Sequence, residues 1–207
     1  MNDSDLKSAL LPPRLVLGLS GASGVTYGIR ALELLRDLQI ETHLVMSKAA
    51  EMTISYETDW RTADVKALAD VAHPIGDVGA SISSGSFRTL GMLIAPCSVR
   101  TMSEISSGVT TTLLTRAADV VLKERRRLVL MVREAPLHAG HLRTMVNLAE
   151  MGAIILPPVP AFYTRPSTVQ DIIDQTVGRA LDLFDINLEG TLRWGEDIAT
   201  TPRDRRP

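Results

Sequence analysis

Apolar residues fall along the chain in two alternating patterns. Short unbroken runs at residues 15–19, 92–95, 128–132 and 153–156 have the character of buried strands, and 42–46 reads as a further strand. Between them the apolar positions recur at helical spacing. Ile29, Leu32, Leu35 and Leu38 predict an amphipathic helix over about 25–38, and Ser47 is a candidate N-cap for a helix running toward Tyr56. Leu114, Ala117, Val121 and Leu122 mark another helix over 113–125, and further helices are expected over 137–151 and 168–184. The stretch 59–86 is less periodic and contains Gly76, Gly79 and Gly85, so it reads as helix and loop.

Strands alternating with helices predict an α/β fold with right-handed crossovers and a mainly parallel sheet, a Rossmann-like or flavodoxin-like three-layer sandwich. Its 207 residues fit one domain. A mobile arm is expected over 1–13, a single α/β domain over 14–196, and a disordered tail rich in Thr, Pro and Arg over 197–207. Ligands of such folds sit at the carboxyl ends of the strands. The loops at 20–24, 47, 96–101, 133–136 and 157–163 should therefore converge on one site.

With 45% hydrophobic and 22% charged residues and a formal charge of −2, the chain has no global drive toward nucleic acid or anionic lipid. The single cysteine, Cys97, allows no internal disulfide and no thiolate metal cluster, which points to a reducing compartment. Neither a signal peptide nor an apolar run of spanning length is evident, so a soluble, cytoplasmic protein is expected.

Ser20-Gly21-Ala22-Ser23-Gly24 joins the first strand to the first helix and could cradle a phosphate on backbone N–H groups. It is neither G-x-G-x-x-G nor a Walker A loop, which favours a mononucleotide, and a tight turn is the plain alternative. Pro96-Cys97-Ser98-Val99-Arg100-Thr101 repeats the arrangement at another helix start, where ordinary capping would equally suit Ser98 and Thr101. No histidine adjoins Cys97, so a small buried thiol is the better reading than a nucleophile. Arg133-Glu134 ends a strand with an anion-binding cation and a carboxylate able to move a proton, or with a structural ion pair. Glu57 is a similar candidate. Phe162-Tyr163 could form a lid or stacking surface, or pack in the core, with Arg165 and Arg179 supplying charge nearby. Lys123-Glu124-Arg125-Arg126-Arg127 reads as a solvated helix end, and His138 and His141 lack the third ligand that a metal would need.

Taken together, Gly-Leu-Ser-Gly-Ala-Ser-Gly, Val-Met-Ser-Lys-Ala-Ala, Ser-Ser-Gly-Ser-Phe, Pro-Cys-Ser, Leu-Leu-Thr-Arg-Ala-Ala-Asp-Val, Leu-Lys-Glu-Arg-Arg, Val-Arg-Glu-Ala-Pro-Leu-His and Pro-Pro-Val-Pro-Ala-Phe-Tyr closely resemble the UbiX-type flavin prenyltransferases over about residues 15–194. The resemblance implies metal-independent transfer of a dimethylallyl group from dimethylallyl monophosphate to N5 and C6 of reduced FMN. The product serves UbiD-type decarboxylases, in ubiquinone synthesis or aromatic-acid decarboxylation, and the family assembles as homododecamers. Gly21, Ala22, Ser23, Ser47, Ser98, Val99, Arg100, Thr101 and Arg133 match its FMN-binding positions. Tyr163 and Arg179 match its dimethylallyl-phosphate ligands, with Lys123 and Arg116 as further cations, and Glu134, Glu57, Lys123 and Ser23 form the implied catalytic set. One departure is Thr111-Thr112, where relatives carry an Asn-containing pair.

Three other readings compete with transfer. A flavin-dependent cysteine decarboxylase of the same fold would carry a catalytic histidine and a Pro-x-Met-Asn motif, both lacking here. A non-catalytic FMN carrier would leave Glu134, Lys123 and Arg179 dispensable. An aromatic-acid decarboxylase would release carbon dioxide without a UbiD-type partner.

Overall fold

The computed structural model describes residues 12–198. Its sheet has six strands, β1 (Arg14–Leu19), β2 (Glu41–Met46), β3 (Val71–His73), β4 (Gly91–Cys97), β5 (Arg127–Val132) and β6 (Ala153–Ile155). All neighbouring pairs are parallel, in the order β3-β2-β1-β4-β5-β6. Five of the strands coincide with segments expected to be strands. The sixth, β3, has no apolar run, because this three-residue edge strand is largely exposed and carries no burial pattern.

The helices are α1 (Val25–Asp37), α2 (Lys48–Glu57), α3 (Thr62–Leu68), α4 (Val99–Ser106), α5 (Leu113–Lys123), α6 (Ala139–Glu150) and α7 (Val169–Asp182). Alternation along each strand sends side chains to two separate cores. Leu15, Leu17 and Leu19 of β1 meet α1, α2, α3 and α7 on one face, while Val16 of β1 and Met92 and Ile94 of β4 meet α4, α5 and α6 on the other. The result is the expected three-layer sandwich.

Capping chemistry decides where several helices begin. Ser47, Ser98, Thr112 and Thr168 each accept an N–H from the first turn of α2, α4, α5 and α7. His138 does the same for α6 through Nδ1, so that helix starts at Ala139, two residues later than its periodicity suggests. Thr112 thereby fills the capping role for which Asn and Asp are also suited, which gives the Thr111-Thr112 departure a local explanation.

Residues 1–11 and 199–207, holding most of the expected arm and tail, lie outside the described residues. The parts of those segments that are described are anchored. Pro13 O accepts from Glu41 N at 3.0 Å, and Asp197 accepts from Arg193 N at 2.9 Å, so ordered structure reaches into both spans.

Candidate active site

Strand order reverses between β1 and β4, where the chain leaves for opposite sides of the sheet and a crevice opens at the carboxyl edge. Ser20, wholly buried at the end of β1, joins the two strands there. Its hydroxyl donates to Pro96 O at 3.0 Å and accepts from Ser98 N at 2.7 Å. Ser20 N donates to Pro96 O as well, at 3.1 Å. The loops after β1 and β4 are thus fixed to one another before any ligand arrives.

A cleft of 390 Å³ lies beside this junction, within the size range of small-molecule sites. Gly21, Ser47 and Ser98 through Thr101 line it, which gathers six of the nine expected cofactor positions. The first turns of α2 and α4 both border it, so free N–H groups and the positive ends of two helices meet there. Thr101 is buried, with its backbone N–H on Ser98 Oγ at 3.2 Å. Gly21 is required by close approach, since a Cβ at that position would lie 2.3 Å from Ala49 Cβ of α2.

The start of α1 is differently occupied. Glu57, the last residue of α2, accepts from Gly24 N at 2.8 Å and from Val25 N at 3.3 Å. The phosphate cradle expected on 20–24 therefore has its helix-proximal amides taken by a carboxylate of the chain itself. The anion-binding character moves to the starts of α2 and α4, while Gly21 remains on the cleft wall.

Arg133 and Glu134 follow β5 at the same edge, with Arg133 N bonded to Cys97 O at 3.1 Å. They do not form an ion pair with each other: Glu134 accepts from the neighbouring Ala135 N at 3.0 Å. Burial pushes the Tyr27 phenol above its ordinary range, opposed by the positive charge of Arg133 nearby. Burial also pushes the Cys97 thiol up to about 12, in keeping with an inert core residue.

Lys123 and Arg179 are not brought to this cleft within one protomer. Thr112 lines the cleft, and α5 then runs 11 residues, about 16 Å, away from it to Lys123. There Lys123 pairs with Glu124 at 2.6 Å. Arg116, one turn into α5, pairs with Asp119 at 2.7 Å. Arg179 sits in the last turn of α7 against Asp182, and Asp185 just beyond pairs with Arg127, the first residue of β5. The ends of α5 and α7 thus lie at the amino edge of the sheet. The basic run after α5 is more than a solvated helix end, because Arg126 donates to Phe87 O and Gly85 O and so fastens the turn in which Phe87 N bonds Ser84 O. Tyr163 lies in a short turn, Phe162–Thr164, with its ring edge-on to Trp194 at 5.6 Å.

Lys48, Ile75, Glu104, Thr112 and Leu114 also line the cleft, though sequence reasoning did not select them for it. Lys48 was findable as the neighbour of an N-cap. Ile75 follows the exposed edge strand in the aperiodic stretch and carries no local signal. Among the described residues, no group of three or more His, Cys, Asp or Glu is placed to hold a metal ion, and no helix is long and apolar enough to cross a membrane.

The cleft's donors fit FMN: hydroxyls and helix-start amides for a phosphate, and the apolar Val99, Ile75 and Leu114 for a ring system. Comparison with known proteins agrees. The family model described as Flavoprotein matches residues 4–181. The flavin prenyltransferase UbiX of Escherichia coli is 62% identical over 184 residues, covering 87% of this chain and 97% of that protein. A crystal structure of a UbiX (PadA1) in complex with FMN and dimethylallyl pyrophosphate superposes with a TM-score of 0.88 at 52% identity, covering 89% of this chain and 98% of the other. A dodecameric FMN-dependent UbiX-like decarboxylase from Escherichia coli gives a TM-score of 0.86 at 49% identity, covering 87% and 98%. This chain belongs to the Flavoprotein family and, within it, to the UbiX-type flavin prenyltransferases.

Proposed function

We propose that this protein transfers a dimethylallyl group from dimethylallyl monophosphate to N5 and C6 of reduced FMN, and that the product serves UbiD-type decarboxylases. The observation that carries the reading is the convergence of the α2 and α4 starts, with Ser47, Ser98 and Thr101, on one cleft at the strand-order reversal of a UbiX-type chain. Bound reduced FMN supplies the nucleophilic nitrogen and carbon that receive the prenyl group.

The remaining work falls to the chain's own residues. Ser47, Ser98 and Thr101, with the amides of Val99 and Arg100, bind the flavin phosphate, while Gly21, Ala22 and Ser23 border the ring and Arg133 adds a cation. Ionising an allylic phosphate requires the leaving group to be stabilised, a role suited to Tyr163, Arg179, Arg116 and Lys123. Apolar and aromatic walls exclude water from the departing allyl group. Glu134 accepts the proton released as the ring closes at C6. Glu57 supports Ser23 indirectly, by holding the adjoining Gly24 and Val25 amides.

Because Lys123 and Arg179 lie at the far edge of their own sheet, neighbouring copies must carry them to the cleft. This supports a homododecamer like that of the solved relative. A cytoplasmic location fits the buried, unpaired Cys97. The cysteine decarboxylase reading is disfavoured by the histidines: His43 and His73 bond each other, and the His138 Nδ1 is committed to the start of α6.

The test is an anaerobic incubation of the protein with reduced FMN and dimethylallyl monophosphate, or in a parallel arm the diphosphate, followed by mass spectrometry of the released flavin. Gain of one five-carbon unit is expected, and the productive arm identifies the donor. Unmodified flavin in both arms would leave an FMN carrier. Glu134→Gln should slow the cyclised product, and a normal rate would remove that residue from its role.

A further inference from the structure

Beyond α7 the chain turns back and runs along the helix it has just left. Three contacts fasten it, at positions 175, 178 and 182, which share one face of α7. Gln175 binds both backbone groups of Leu192, donating to Leu192 O at 2.9 Å and accepting Leu192 N at 3.0 Å. Gly178 makes room for Thr191, since a Cβ there would lie 2.2 Å from Thr191 Oγ1. Asp182 receives a two-pronged bond from Arg193, each N–O distance being 2.7 Å. The Asp182 side chain is only 9% exposed, and the same carboxylate holds Arg179.

The residue after Arg193 is Trp194, and its ring meets that of Tyr163 at 83°. Tyr163 precedes α7 and Trp194 follows it, so the returning segment joins the two ends of the helix. Both rings stay partly open to solvent, at 41% and 60%, and thus make an aromatic surface instead of a core contact. A buried carboxylate therefore fixes one substrate-binding candidate, Arg179, directly and another, Tyr163, through Arg193 and Trp194.

We propose that Gln175, Asp182 and Arg193 are positioning residues, which strap residues 188–194 along α7 so that Trp194 sets the Tyr163 phenol for the allylic phosphate. The proposal rests on the prenyltransferase reading for the identity of the substrate. Its structural half stands on the contacts alone. A phenol edge-packed against an indole has fewer orientations than a free one, and that order is gained before substrate binds.

The experiment uses the full-length assembled protein with Trp60→Phe, which leaves Trp194 as the one tryptophan. Arg193→Ala, Arg193→Lys, Gln175→Leu and Tyr163→Phe are each added to it. Acrylamide quenching of Trp194 emission reads the strap, and KM and kcat for dimethylallyl monophosphate at saturating reduced FMN read its effect. Arg193→Ala and Gln175→Leu should raise quenching and raise KM about tenfold, with FMN affinity and kcat little changed. Arg193→Lys should recover much of both, whereas Tyr163→Phe should raise KM without altering quenching. Unchanged quenching in Arg193→Ala and Gln175→Leu would overturn the strap, and raised quenching with unchanged KM would overturn its role in substrate binding. If the parent protein returns FMN unmodified, the transferase reading fails instead, and the quenching data alone then report a strap with a purely structural role.

Discussion

The Glu57 carboxylate lies 2.8 Å from the backbone nitrogen of Gly24, closing the start of α1 with a negative charge from the end of α2. That bond, with the second to Val25, supplies the acceptor that Gly24 lacks as an N-cap without a side chain. Glu57→Ala should cost about 1 kcal/mol of stability and weaken FMN binding by loosening the 20–24 loop. Glu57→Gln keeps an acceptor and should retain most of both. Denaturant unfolding and a flavin titration on the two variants would check the order.

Ser20 presents a sharper case because it is fully buried and bonded on both sides. Ser20→Ala would leave Ser98 N–H without the buried hydroxyl that accepts from it. A loss of about 2 kcal/mol is expected, with weaker FMN binding because Ser98 begins α4. Urea unfolding compared with flavin affinity would show whether the two losses travel together.

His43 Nδ1 and His73 Nε2 lie 2.9 Å apart, within hydrogen-bond distance. Burial, and then the charge of His43, pull the His73 imidazole below its ordinary value against the opposing effect of Asp77. The unfolded chain therefore takes up a proton more readily than the folded one. The stability contributed by the lowered His73 value is complete above about pH 6.5 and is lost as pH falls below it. Glu41 is linked to the same pair: burial alone would raise its carboxyl, yet bonds from His43 and Arg14 hold it below its usual range. Melting temperatures measured from about pH 8 to about pH 5 should fall on the acid side, and His73→Gln should flatten that fall.

Cys97 is wholly buried, and its thiol is pushed up to about 12 by that burial. An aromatic disulfide reagent at about pH 8 should find no reactive thiol in the native protein and one per chain after denaturation, since reaction requires the exposed thiolate. Rapid native labelling would contradict the packing of β4.

Much of the scaffold could be read from the chain alone. Strands such as 15–19 and 128–132 are apolar on both faces because helices cover both sides of the sheet, and hydrophobic pattern is a local record of that burial. The motifs at Ser47 and Ser98 were legible for a similar reason, since capping residues act on amides within the next turn. What tertiary structure alone decided depends on contacts distant in sequence. Glu57 reaching Gly24, Ser20 joining Pro96 to Ser98, and Arg193 returning to Asp182 leave no periodic trace, because each joins segments through a single side chain. β3 escaped notice because an exposed edge strand takes its structure from backbone bonds to β2, which any residue but proline can make. The separation of Lys123 and Arg179 from the cleft was likewise hidden, since motifs give residue identity and only the direction of α5 and α7 across the sheet gives the edge at which each cation stands.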